Sequence, residues 1–302
     1  MVAPHQGRVA VEFVRETFGL SQVRACNVIG IHRSTFRYRS TREDDPVLRE
    51  RIKALATTHK RFGYRRIHWR LTRREGFKVN HKRVYRIYKE EGLKVLRKKR
   101  KKGLSAARLA LDAVLRPNQR WTMDFVEDAL ASGRKLRTLT IVDEYSRECP
   151  RIEADSSLPG ARVVRVLDEL MATRGKPESL LVDNGPEFIG KALDLWSYNN
   201  GVTLHFTRPG KPTDKPHVES FNGKFRDECL NENYFLSVHD ARRIIENWRH
   251  SYNHDRPHMA LKGLTPMEFL ERWSALKAEL DLVEPSEVRE QNQVAPPCRS
   301  LT

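Results

Sequence analysis

The period of the apolar residues changes at about residue 118, and that change constrains the fold more than any other feature of the chain. WTMDFVED (121–128), RKLRTLTIVDEYS (134–146) and ECPRIEAD (148–155) alternate as three successive strands, the first two joined through Ala131-Ser132-Gly133. ARVVRVLDELMATRG (161–175) then has helical spacing, SLLVD (179–183) reads as a fourth strand, FIGKALDLWSYNNG (188–201) as a helix and VTLHFT (202–207) as a fifth strand. Two further helices follow, one starting near Pro216 and one over ARRIIENWRHSYN (241–253). Three consecutive strands followed by alternating helix and strand predict an α/β layer structure in which the first and fourth strands lie side by side.

Three acids occupy telling places in that order. Asp124 lies within the first strand, and Asp183 ends the fourth, where Asn184-Gly185 turns the chain. Both carboxylates are expected at or near strand ends. Asp214 and Pro216 read as a helix start, which puts Glu219 in the first turns and Asn222 and Arg226 three and seven residues on, along roughly one face. A cluster of carboxylate oxygens suits Mg²⁺ or Mn²⁺, and two such ions can clamp the attacking and leaving oxygens of an in-line displacement at phosphorus. No Ser, Cys or Tyr nucleophile is then needed. Asp124, Asp183 and Glu219 are the predicted catalytic and metal-ligating set.

Other acids and histidines are weighed against plainer roles. Asp143 is either a fourth carboxylate near the site or an acceptor for turn backbone, and stays outside the triad. Glu187 is expected to cap or face the dipole of the following helix. Trp121 is read chiefly as core, and His205 and His217 receive no role.

Charge points to nucleic acid. The 302 residues are 39% hydrophobic and 31% charged, enough for a core and two or three domains, with a net charge of +17. Residues 1–120 hold 32 Lys and Arg against 10 Asp and Glu; the remainder holds 24 against 29. A basic arm and a near-neutral body are expected, with double-stranded DNA as the partner. No run of about 18 apolar residues and no signal-peptide pattern is found, which excludes a membrane reading. Cys26, Cys149, Cys229 and Cys298 are widely spaced, as in a cytoplasmic protein with reduced thiols.

Within the basic half, residues 1–41 read as a helix-turn-helix. RVAVEFVRETF, QVRACNVI and HRSTFRYR are separated by Gly19 and Gly30, with Ser21 as a cap and Arg33, Arg37 and Arg39 toward a groove. Residues 42–93 form a second helical unit, with Arg65, Arg66 and Arg70 on its middle helix and Lys82, Arg83 and Arg86 on its third as phosphate or groove contacts. Tyr85, Ile87 and Tyr88 are candidates for core. Residues 94–117 form a linker in which seven of the nine residues from Lys94 to Lys102 are basic, with Lys98, Lys99 and Arg100 tracking a phosphate backbone. The body is expected over 118–275, and 276–302 as a polar tail.

RFGYRRIH (61–68), VNHKRVYRIYKEEGL (79–93), DNGPEF (183–188), RPGKPTD (208–214), ESFNGKFRDECLN (219–231) and YNHDRPH (252–258), with 35 residues between Asp183 and Glu219, resemble the Asp-Asp-Glu transposase OrfB of the IS-three insertion-sequence family. The resemblance spans most of residues 9–270. It implies a ribonuclease-H-like, integrase-like catalytic core and a bacterial, nucleoid-associated transposase that binds the terminal inverted repeats of its element. Such an enzyme frees a 3′-hydroxyl and joins it to another DNA phosphate, using Mg²⁺ or Mn²⁺, two ions at one site. It also implies Asn222 and Arg226 beside the transposon end, a homo-oligomer on DNA, and an upstream OrfA product as partner, Met1–Gly7 having the look of a junction. Where relatives usually carry Asn-Ala and an aromatic after Asp214, this chain has Lys215, Pro216 and His217. A non-catalytic DNA-binding regulator and a general nuclease are the competing readings.

Overall fold

The structure, a computed structural model, describes residues 4–38, 45–93, 95, 112–208 and 215–283. Its contacts group into two units, Met1–Arg51 and Ile52–Thr302. In the first, α1 (Pro4–Phe18), α2 (Gln22–Ile29) and α3 (Arg33–Arg37) close on Val11, Ala25, Cys26 and Phe36. The expected caps are in place: Ser21 accepts from the Arg24 amide, and Gly30 ends α2 with φ of 76°, a left-handed conformation that a side chain would oppose. Helix α4 (Pro46–Thr58) crosses the division between the units.

The second unit begins with the rest of the helical arm. α5 (Tyr64–Arg73) buries Ile67 and Leu71, and α6 (His81–Glu90), capped by Asn80, buries Val84, Ile87 and Tyr88. Tyr85, a candidate for core, is instead 49% exposed and packs at a tilt against Tyr64. Contacts thus gather α5 and α6 with the sheet, whereas the charge pattern alone sets them with the first helix-turn-helix.

The sheet has the expected five strands: β1 (Arg120–Ala129), β2 (Lys135–Asp143), β3 (Arg151–Asp155), β4 (Ser179–Val182) and β5 (Thr203–Phe206), in the order β3-β2-β1-β4-β5. β1–β2 and β2–β3 are antiparallel, while β1–β4 and β4–β5 are parallel. The predicted neighbourhood of first and fourth strands is present, with Arg120 opposite Ser179 and Thr122 opposite Leu181.

Strand alternation sorts side chains between two helical layers. Trp121, Met123, Leu139 and Ile141 enter one core with α7 (Gly160–Arg174) and α8 (Lys191–Asn200). Val126, Leu136 and Val142 enter the other with α9 (Pro216–Glu228) and α10 (Val238–His254). This is the ribonuclease-H-like three-layer arrangement, and it fixes where Asp124 points: two residues before Val126, it faces α9. A final helix, α11, spans Pro266–Val283. That helix runs into the tail expected over 276–302, because its first eight residues continue the helix; the rest of that tail from 284, Arg39, and the linker residues Lys98, Lys99 and Arg100 lie outside the described residues.

Candidate active site

Asp124 is not at a strand end. It is the fifth residue of β1, paired with Thr140 of β2, but β4 stops at Val182 and leaves it without a strand on its other side. Continuing the β1–β4 register by two residues brings Asp124 level with Asp183, which stands just past β4 as expected. Asp183 is held by its own turn, accepting from the Gly185 amide at 3.0 Å, while Asn184 donates to the Thr207 carbonyl at 2.7 Å. Such side-chain bonds to backbone are what make an Asp-Asn-Gly turn rigid.

The two carboxylates converge on one cation supplied by the chain. Lys215, immediately before α9 and 7% exposed, places Nζ 3.1 Å from Asp124 Oδ1 and 3.6 Å from Asp183 Oδ2. On the other side, Asn222 Nδ2 donates to Asp124 Oδ2 at 2.7 Å, and Thr140 Oγ1 donates to Asn222 Oδ1 at 2.9 Å. Asp124 is thereby oriented from both sides. Glu219, on the first turns of α9, feels the negative charge of Asp124: burial first, then that charge, push its pKa up, and Lys215 opposes the shift. Among the described residues no group of three acids, histidines or cysteines is closed tightly enough to hold a metal ion. The donor set nevertheless fits a hard cation, because hard oxygen ligands from β1 and β4 already bracket a positive charge.

Arg226 is exposed, its Nη2 donating to the Glu127 carbonyl at 2.9 Å. Glu187 does not cap α8. It lies in the turns before that helix and ion-pairs with Arg137, which stacks over Phe125 at 4.1 Å. Asp143 takes the plainer of its two readings: fully buried, it accepts from the amides of Asn118, Tyr145 and Ser146 and from the Ser146 hydroxyl. Trp121 is core, at 0% exposure.

The arginines of α5 have an intramolecular use that their spacing does not reveal. Arg66 donates to the Pro257 carbonyl, Arg70 to Asp255, Arg73 to the Gly263 carbonyl and Arg74 to the His254 carbonyl. They satisfy the carbonyls left over at the C-terminus of α10 and its following loop, and basic groups there also suit the helix dipole. Arg65 and Lys82 are exposed, as are Arg33 and Arg83, and Arg86 pairs with Glu90. Arg37 donates to Gln22 within the first unit.

Comparison with known proteins was made on this geometry. A family model described as an integrase core domain matches residues 115–212, another of the same description matches 200–266, and one described as an HTH-like domain matches 42–101. The uncharacterized 31.7 kDa protein of insertion element IS407 from Burkholderia multivorans is 46% identical over 85% of this chain and 92% of its own. The uncharacterized 39.2 kDa protein of insertion element IS476 from Xanthomonas euvesicatoria is 42% identical over 92% and 80%. The putative transposase InsK of IS150 from Escherichia coli is 26% identical over 79% and 89%.

Proposed function

The chain belongs to the integrase-core transposases of the IS-three insertion-sequence family, the OrfB type, and from that premise we propose that it binds the terminal inverted repeats of its element and carries out strand cleavage and strand transfer at the Asp124–Asp183–Glu219 site. The observation that carries this reading is the convergence of Asp124 and Asp183 on a single positive charge at the edge where β4 ends.

Asp124, Asp183 and Glu219 would hold two Mg²⁺ or Mn²⁺ ions. When bound, these lower the pKa of an attacking water and offset the charge that builds on the phosphoryl oxygens. The chain's own residues prepare for that. Asn222 fixes the rotamer of Asp124, the turn at Asn184-Gly185 fixes Asp183, and Lys215 keeps the two carboxylates from repelling each other until a stronger cation arrives. Glu219 closes the set from α9. Water attacks first and frees a 3′-hydroxyl; that hydroxyl then attacks a second phosphodiester.

Residues 1–41 and 42–93 would contact the element end, with exposed Arg33, Arg65, Lys82 and Arg83 as candidate contacts. Lys98, Lys99 and Arg100 would track the backbone from the 94–117 segment, and Arg226 would meet DNA beside residues 118–275. A homo-oligomer on DNA, an OrfA partner and a cytoplasmic setting complete the proposal; among the described residues no helix is long and apolar enough to cross a membrane.

Strand transfer of a labelled element end in Mg²⁺ or Mn²⁺ tests the reading. A joined product from the wild-type chain that disappears in Glu219→Gln is the expected result. Sequence-blind degradation would instead make the chain a nuclease, and joining that survives in Glu219→Gln would remove Glu219 from the site.

A further inference from the structure

Helix α9 has a second polar face that the carboxylate chemistry does not use. At about 100° per residue, Glu219, Asn222 and Arg226 fall on one side of the helix and His217, Ser220 and Lys224 on the opposite side. Buried Val218, Phe221 and Phe225 lie between them and tie the helix to the sheet.

The second face opens into a cavity of about 290 Å³, lined also by Arg66 of α5, Arg147 of the β2–β3 turn and His258 after α10. The lining is cationic. Lys224 donates to Ser220 Oγ at 2.9 Å and sits in the field of Arg66, Arg147 and Arg256; the carboxylate acting on it, Glu228, is itself ion-paired with Arg256. Two nitrogens there are buried with no hydrogen-bond partner among the described residues, Arg147 Nη1 and His258 Nε2. His258 is 6% exposed, and Arg147 takes a φ of 64°, uncommon for a residue with a side chain and costly unless the surroundings enforce it.

Buried polar nitrogens left without partners, and a cluster of cations that Glu228 and Glu144 offset only in part, both cost free energy, and sites that retain them commonly serve a ligand. One anion answers every feature. A phosphate offers several acceptor oxygens around one centre, matching the ammonium and hydroxyl of α9, the guanidinium groups of Arg66 and Arg147 and the imidazole of His258 that line the cavity. An anion in the cavity would also favour the charged, donor form of His258, which burial first and then the neighbouring cations otherwise suppress.

We infer that this cavity binds one backbone phosphate of duplex DNA, held on the opposite side of α9 from the carboxylates. The phosphate belongs to a DNA segment other than the phosphodiester under attack, so the pocket anchors a second stretch of duplex across α9. This rests on the reading that DNA is the substrate, and the test separates the two.

The experiment measures binding of a short labelled duplex by anisotropy across a KCl series for wild type, Lys224→Gln and Ser220→Asp. Each variant should bind more weakly and lower the slope of log affinity against log salt by about 1, the signature of one lost phosphate contact. Thermal melting confirms folding, since Lys224→Gln removes a cation from a crowded group and Ser220→Asp adds a counter-charge to it; neither should melt lower than wild type. Mn²⁺ binding at the carboxylates should not change. Unaltered salt slopes in both folded variants would overturn the pocket while leaving the transposase reading intact. Wild type that fails to bind duplex would instead overturn that reading. Wild type stabilised by inorganic phosphate but with duplex binding untouched by either variant would make the cavity a free-anion site and overturn its assignment to DNA.

Discussion

Lys215 Nζ stands 3.1 Å from Asp124 Oδ1 in a setting where Lys215 is only 7% exposed, so the strand that carries the first acid is charge-balanced by the residue that opens α9. An ammonium paired with both carboxylates would compete with a divalent ion for the same oxygens. Lys215→Asn should therefore tighten Mn²⁺ binding, by about tenfold if the competing pair contributes ~1.4 kcal/mol. Calorimetric titration of Mn²⁺ into both proteins checks this, and equal affinities would show that Lys215 does not oppose the metal.

Asn222 joins Thr140 to Asp124 in a chain of two hydrogen bonds, 2.9 and 2.7 Å. Partners of this kind hold a ligand carboxylate in its productive orientation, and their removal typically costs about 10–100-fold in metal affinity or activity. Asn222→Leu should lower strand transfer by that order and weaken Mn²⁺ binding in parallel, with Thr140→Val showing a smaller loss. Full activity in Asn222→Leu at unchanged metal affinity would mean that Asp124 needs no such support.

Gly263 carries the docking of α5. Its φ is 81°, and a Cβ there would stand 2.4 Å from the indole of Trp69, while its carbonyl accepts from Arg73. Neither the backbone nor the ring can give way cheaply, so Gly263→Ala should destabilise the second unit by ~1–3 kcal/mol. Urea unfolding measures it. Pairing Gly263→Ala with Trp69→Ala should recover part of the loss, because the clash goes even though the strain of the left-handed backbone stays.

Lys224 provides a pH signature. Burial, with Arg256, Arg66 and Arg147 around it and Glu228 only partly opposing them, lowers its pKa to about 7, against about 10.4 for a free lysine. Between those values the unfolded chain holds a proton that the folded chain has lost, so stability from this group rises with pH across about 7 to 10 and is flat below. Burial raises the pKa of Cys149, Cys229 and Tyr252 and works in the opposite direction at the alkaline end. The comparison with Lys224→Met isolates the lysine: the variant should gain stability over wild type at pH 7, and that gain should shrink as pH approaches 10. A constant difference between the two proteins would place the lysine pKa near its ordinary value.

Much of the candidate site is legible in the sequence. Alternation in WTMDFVED put Asp124 on the first strand, and the apolar run ending in Asp183 followed by Asn-Gly placed that acid at a strand end. Asp124 was misplaced only longitudinally: it is mid-strand because β1 outruns β4, and strand length depends on a partner that the local pattern does not contain. Glu187 was misread because Arg137, fifty residues away in sequence, takes it before α8 begins. The arginines of α5 show the same limit. A basic helical stripe has one appearance in sequence whether it faces DNA phosphates or the carbonyl end of another helix, and Arg66, Arg70, Arg73 and Arg74 reach α10 and its loop.

The amino-acid sequence by itself determined the period of each element, the order of strands and helices, and the residue types at the three acidic positions, because these depend on neighbours a few residues apart. Only the tertiary structure decided which charges meet. The placement of Lys215 between Asp124 and Asp183, the docking of α5 on α10, and the gathering of Arg66, Arg147, Lys224 and His258 around one cavity all join segments far apart in the chain. Electrostatic pairing falls off over a few ångströms and is set by burial, so it is fixed by packing and not by spacing along the chain.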